Sequence, residues 1–330
     1  MRRREHGYVL LATLGALAVL TAMIGFFAVR VEIMRENTRA LRAVAESRIA
    51  QAGAYSEAVF RLTTLPRSAQ GFGVEAAGGV VADGRPYRFD AFIVRVQDSR
   101  GLVSLNTGNR AVLWRLLVLR GITAGEADRL VDTLEDYLDT DNLVRLNGAE
   151  APTYDALDLP PPANDWLVST AELGRIVAWR ELIRKRPELR RQFSASLDVF
   201  LNPNTGTREL LEALPGATEE GVSRLLAYRR TSALTSAGQL AAITGIVPDP
   251  DLLVFAPSDW LRVETTPVGG GPGFEYNLLL TLANVRKPWQ LLEIRSLAGP
   301  PPRASDDQAA LPLAELAIPP SANSVAAGNR

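Results

Sequence analysis

The side chains with the densest chemical potential are acidic. Asp132, Glu135, Asp136, Asp139 and Asp141 crowd ten positions, with Asn147 and Glu150 close behind. Carboxylates at this density can bind a hard cation, act as an acid/base pair, or form a solvated helix end. Asp139, Asp141 and Glu150 fall at places 1, 3 and 12 of a calcium-loop count. Place 5 is Leu143, however, and place 6, where such a loop turns on glycine, is Val144. The segment is therefore not an EF-hand, although a helix end followed by a turn can still offer carboxylates and backbone carbonyls to calcium. A glycosidase-type carboxylate pair needs one raised pKa and a substrate cleft, and abundance of Asp and Glu supplies neither.

Other chemistries are narrowed by what is missing. The 330 residues contain no cysteine, and the one histidine is His6. A Ser-His-Asp or Cys-His triad cannot be assembled, nor can a cysteine or histidine metal site. The chain reads as a non-enzyme. Its 36 Lys and Arg balance 37 Asp and Glu, which argues against a protein that coats nucleic acid. Trp114, Trp166, Trp179, Trp260 and Trp289 are scattered and read as core or domain-interface residues. GVEAAGG and VGGGPG lack the strand-to-helix setting of a phosphate loop and read as turns.

Residues 211–230 (LEALPGATEEGVSRLLAYRR), with a fainter echo at 116–134, resemble a helix-hairpin-helix. DNA-binding hairpins turn on glycine-x-glycine so that amides approach phosphate closely. Here the turns are Gly216-Ala217-Thr218 and Gly121-Ile122-Thr123, each lacking the second glycine, and Glu219 and Glu220 flank the first. Packing or protein docking is the expected role, and DNA uptake is the alternative.

The elements that position these groups begin with Tyr8–Val29, an uncharged run of 22 residues. As a helix it reaches roughly 33 Å, enough to cross a bilayer. Arg2, Arg3 and Arg4 precede it and favour a cytoplasmic N-terminus, weakly opposed by Arg30, Arg35 and Arg39. The apolar run exceeds that of a cleaved secretory signal and no A-x-A-like site follows. Leu41, Val44, Ala45, Ile49, Ala52, Tyr55, Val59 and Leu62 then recur at spacings of one, three or four until Pro66. The pattern predicts one continuous helix, apolar first and amphipathic after.

From Gly71 to Asn106 strands and turns are expected, with Asp83-Gly84 as a hairpin turn. Residues 109 to about 251 read as helical, with candidates Ala111–Arg120, Ala124–Leu138, Thr170–Lys185 and Glu219–Arg230. Strand character returns in DWLRVETT, EYNLLLTLANV and WQLLEIRSLA. The fold class is α+β: a long helix on a small antiparallel sheet, residues 67–108 and 256–298, interrupted by a helical domain at 109–255. The Pro-, Ala- and Ser-rich segment 299–330 reads as a disordered tail.

A short basic leader (1–7) ending in Gly7, followed by the apolar helix of 8–66, resembles a type IV prepilin or pseudopilin signal. VQDSRGLVSLN, DYLDTDN, NGAE, PPPANDWLVSTAEL and LPG resemble stretches of the K-type minor pseudopilin of the type II secretion system. The likeness implies cleavage by a prepilin peptidase between Gly7 and Tyr8. It also accounts for Ala12 at mature position five, where most pseudopilins carry glutamate and the K type does not. It implies inner-membrane anchoring by a single span, a periplasmic C-terminal domain, and partners among the I- and J-type minor pseudopilins and the inner-membrane assembly. Ca2+ in the helical domain is implied as well, with Asp139, Asp141 and Glu150 as expected ligands and Asp136 as a further candidate. The implied role is to cap the fibre tip and initiate assembly for protein export, without binding nucleic acid.

Overall fold

The computed structural model describes residues 5–74, 78–246, 249–281, 286–297 and 311–312. The chain divides into two compact units, Met1–Gly53 and Ala54–Arg330. Helix α1 (Glu5–Thr64) is continuous, as its uninterrupted apolar and then amphipathic sequence requires. Among the described residues it is the one helix long and apolar enough to cross a membrane. In the first unit Leu41, Val44 and Ile49 of the expected stripe are exposed, at 72%, 51% and 73%. In the second unit the last turns of α1 are core: Ala54, Ala58, Val59 and Leu62 are buried, and Tyr55 stacks on Tyr276 with ring centroids 4.0 Å apart.

Those turns pack on a sheet of strands β3 (Asp83–Phe89), β4 (Phe92–Asp98), β7 (Trp260–Pro267), β8 (Gly273–Leu280), β9 (Trp289–Leu297) and β10 (Leu311–Pro312), in the order β10-β3-β4-β7-β8-β9. All neighbours are antiparallel except β10, which lies parallel to β3. Residues 311–312 of the expected disordered tail thus belong to the sheet, and the rest of 299–330 lies outside the described residues. A small antiparallel pair, β1 (Gly71–Phe72) and β2 (Val80–Val81), adjoins the sheet in sequence.

Asp83-Gly84 does not form the hairpin turn. It opens β3 at a register irregularity between Asp83 and Pro86, with Gly84 at φ +79°, and the β3–β4 turn falls at Asp90, φ +47°. Left-handed backbone serves a β-bulge as well as a two-residue turn, and here the bulge prevails. VGGGPG does turn between β7 and β8, through Gly270 and Gly271 at φ +83° and +125°.

Between β4 and β7 the chain builds helices α2 (Arg110–Leu119), α3 (Ala124–Leu138), α4 (Ala151–Ala156), α5 (Val177–Lys185), α6 (Arg208–Ala213), α7 (Glu219–Tyr228) and α8 (Ala237–Thr244). The expected helix Thr170–Lys185 is split. A 3₁₀ turn at Thr170–Gly174 carries a capping box from Ser169 and Glu172, and α5 begins anew at Val177. A short parallel pair, β5 (Val103–Ser104) and β6 (Phe193–Ser194), crosses the block, so LVSLN forms no strand of the main sheet. The helices share an apolar core centred on Leu117, Leu130, Leu173, Ile176 and Trp179, distinct from the sheet core. Trp179 is buried and donates its indole N–H to the Leu130 carbonyl at 2.7 Å, whereas Trp166 is 53% exposed and departs from the core role expected of it.

Asp98 joins the strands to this block. Its Oδ1 accepts from the Arg100 and Ser258 amides at 3.1 and 2.9 Å, and its Oδ2 from Thr205 Oγ1 at 2.8 Å and Asn202 Nδ2 at 3.5 Å. One carboxylate therefore holds the entry to the insertion, its interior and its exit, a geometric reason for the DSRG segment.

Candidate functional site

The acidic end of α3 is assembled from helix, loop and cap. Thr123 caps the N-terminus, its Oγ1 accepting from the Glu126 amide at 3.4 Å. Leu130, Val131, Leu134 and Tyr137 then bury one face, and the same spacing carries Asp132 and Asp136 inward. Carboxylates at a helix C-terminus oppose the helix dipole, and the last turn of α3 supplies no basic residue. Counter-charge comes from elsewhere. Arg110 of α2 reaches Asp132 and Glu135, both at 2.6 Å. Arg145, on the loop after α3, pairs with Asp136 at 2.8 Å, with Glu135 at 2.9 Å and with Asp139.

Two of the acids are spent on folding that loop. Asp132 Oδ2 accepts from the Asn147 backbone and side chain at 3.1 and 2.9 Å; these bonds and Arg110 outweigh the upward pull of burial and hold its pKa below the usual range. Asp136 faces Arg145 and lies against Gly148 so closely that a Cβ there would sit 1.9 Å from its Oδ2. The expected further ligand, Asp136, is thus clamped by Arg145, and the Asn-Gly pair in NGAE is dictated by the two buried aspartates beside it.

Asp139, Asp141 and Glu150 are placed differently. Each offers an oxygen within 4.8 Å of the others. Oxygens bound to one calcium at about 2.3–2.6 Å lie no farther apart than about 5 Å, so the spacing suits that ion. Glu150 stands at the N-cap of α4, is 1% exposed, and neither carboxylate oxygen has a hydrogen-bond partner. Asp139 Oδ1 is likewise buried and unpartnered, while Asp141 Oδ1 accepts from the Leu143 amide at 2.8 Å. Burial raises the Glu150 pKa, and Asp136, Asp139 and Asp141 raise it further. Buried carboxylate oxygens at this spacing are a donor set that a hard cation would fit.

Asn164, which the sequence reading did not single out, lies beside Asp141. Its backbone is left-handed at φ +49°, its amide donates to the Tyr137 carbonyl at 3.0 Å, and its Nδ2 reaches the Asp141 carbonyl at 3.4 Å. Its Oδ1 is buried without a partner. A neutral side chain 14 residues beyond Glu150 carries no charge signal in the sequence.

The hairpins are present, with Gly121 and Gly216 at φ +80° and +78°, and threonine caps at Thr123 and Thr218. Their turn amides are used internally: Ile122 N–H donates to Leu117 and Ala217 N–H to Leu214. Arg229 is buried, donating to the Pro203 and Gly206 carbonyls, and Arg224 is tied to Glu220 and the Ile243 carbonyl. Two of the cations beside this hairpin, Arg224 and Arg229, are thereby committed, while Arg230 is exposed. Gly7 and Tyr8 lie in the first turns of α1, whereas Arg2, Arg3 and Arg4 lie outside the described residues.

Residues 95–188 match the family model described as Type II secretion system (T2SS), protein K. The fold is similar to a chain in the crystal structure of the GspK-GspI-GspJ complex from the type 2 secretion system of enterotoxigenic Escherichia coli. That likeness has a TM-score of 0.54 at 18% identity and covers 81% of this chain and 99% of that one. No curated protein matches the sequence. The family match spans the strand that enters the helical block together with the acidic end of α3, and the solved chain shares the fold.

Proposed function

We propose that this chain is a K-type minor pseudopilin of the type II secretion system that caps the tip of the pseudopilus and initiates the fibre with I- and J-type partners. The observation that carries the reading is the exposed apolar stripe of Leu41, Val44 and Ile49 on α1, which side-by-side packing against partner helices would cover. The role is assembly without catalysis, in keeping with a sequence that holds no nucleophile–base pair. In this reading α1 anchors the chain in the inner membrane, in contact with the secretion assembly there, and the second unit lies in the periplasm. A prepilin peptidase removes residues 1–7 at Gly7–Tyr8.

Calcium belongs to the same proposal. Asp139, Asp141 and Glu150 would hold the ion, and its charge would answer the buried Glu150 carboxylate and fix the loop that Arg145 and Asn147 fold. Isothermal calorimetry on the full chain should register calcium binding that Glu150→Gln weakens at least tenfold; no heat with the native chain would remove the ion from the account. Co-expression with I- and J-type partners should give a complex purified from membranes, lost when Leu41, Val44 and Ile49 become serine. Failure of the native three to co-purify would refute the assembly role. The mass of the mature chain should show cleavage after residue 7, abolished by Gly7→Leu.

A further inference from the structure

Seven of the chain's 36 Arg and Lys lie between Arg175 and Arg191, against two acids, Glu181 and Glu188, in a protein of net charge −1. Most of the seven have structural duties. Arg186 donates to the Arg120 carbonyl at 2.7 Å, Arg191 reaches Glu264 at 3.5 Å, Arg190 is half-buried, and Lys185 pairs with Glu181 at 2.7 Å. Arg180 and Arg184 are exposed, and neither forms an ion pair among the described residues. Glu181, which lies near Arg184, is already bonded to Lys185.

Helix α5 sets where these two guanidiniums go. Trp179, Leu182 and Ile183 bury one face. Val177, Arg180, Glu181 and Arg184, at spacings i, i+3, i+4 and i+7, share another. Beside that face the segment after α4 brings Leu157, 53% exposed, and Leu159, and together the six residues line an open groove of about 380 Å³. Attraction to the negative C-terminal end of α5 accounts for Arg184 and Lys185 in the last turn, but not for Arg180 one turn earlier or for the exposed Leu157.

We infer that this groove is a docking site for an acidic peptide segment of a partner protein, one that sets a carboxylate on Arg180 and Arg184 and an apolar side chain on Leu157, Leu159 and Val177. Charge complementarity selects the occupant. Two unpaired guanidiniums over an apolar floor match alternating acidic and apolar residues. A phosphate or nucleic acid would leave the floor uncovered, and a basic segment would be repelled. The site is separate from the acidic end of α3 and from α1, so it stands or falls independently of the calcium and fibre proposals.

The test uses the full chain in nanodiscs of zwitterionic lipid and fluorescence anisotropy of labelled eight-residue peptides. One peptide alternates Asp with Phe and Leu, a second replaces the apolar residues by Gly, and a third replaces Asp by Lys. The first should bind, at least tenfold more tightly than either control, and weaken tenfold on Arg180→Glu with Arg184→Glu. Leu157→Ser should weaken the first peptide and leave the second unchanged. Because all three positions are exposed, thermal unfolding of each variant should coincide with that of the parent. Equal binding of the first and second peptides, binding indifferent to the charge reversal, or displacement of the first peptide by single-stranded DNA would each overturn the assignment.

Discussion

Glu275 and Glu150 are both glutamates and both buried, at 0% and 1% exposure, in opposite surroundings. Glu275, on β8, takes Arg295 at 2.6 Å, with Arg262 at 3.7 Å and Asn277 at 3.3 Å; burial pushes its pKa up, but the two arginines bring it below the usual range. Glu150 has no cationic partner among the described residues and three aspartates for neighbours, and burial and like charge push its pKa up against the opposing Ala151 amide. A buried carboxylate needs counter-charge. The sheet provides its own, whereas at the end of α3 Glu150 faces other carboxylates.

The contrast is broken most sharply by removing each acid in turn. Glu275→Ala leaves Arg262 and Arg295 facing each other inside the fold and should cost about 3–5 kcal/mol in urea unfolding. Calcium at a hundredfold excess over its Kd should stabilise the native chain by about 2.7 kcal/mol, and Glu150→Gln should abolish most of that gain. In chelator the signs separate: Glu150→Gln relieves a repelled, unpartnered acid and should raise stability by about 1 kcal/mol, while Glu275→Gln lowers it. A stabilised Glu275→Gln or a destabilised, calcium-free Glu150→Gln would show that the two sites do not differ as described.

The smallest effect concerns pH. The ionised, paired form of Glu275 stabilises the fold above its unfolded value of about 4.3, and that contribution is lost as pH falls through the lower folded value. Unfolding free energy measured in chelator between pH 6 and pH 3 should therefore drop less steeply for Glu275→Gln than for the native chain. Identical slopes would place the acid sensitivity elsewhere.

Much of the architecture is legible because local rules agree with the tertiary outcome. Ala124–Leu138 carries its own cap and apolar spacing and is helical over that span. The division of strands around a helical block shows in the change of period from alternation to threes and fours. Asp83-Gly84 is different, since a left-handed glycine satisfies a turn and a bulge alike, and only the pairing of β3 with β4 and of β1 with β2 selects between them. Likewise Thr170–Lys185 keeps helical spacing through a break that the capping box at Ser169 and the packing of Trp179 impose.

At the acidic cluster the limit is sharper. Asp136, Asp139, Asp141 and Glu150 look interchangeable in the sequence. Arg145 lies between Asp141 and Glu150 in the chain, but whether it pairs with Asp136 or with Glu150 depends on the path of a loop held by Asp132 and Gly148.

Residue order alone determined that this chain has a lipid-length apolar helix, a two-faced continuation, an α+β body, and no cysteine. These follow from composition and local periodicity, which need no partner. Tertiary structure decided which carboxylates are neutralised and which are left bare, and which arginines are buried and which stand over a groove. Charge acts through space, and the distances that matter join residues far apart in the chain.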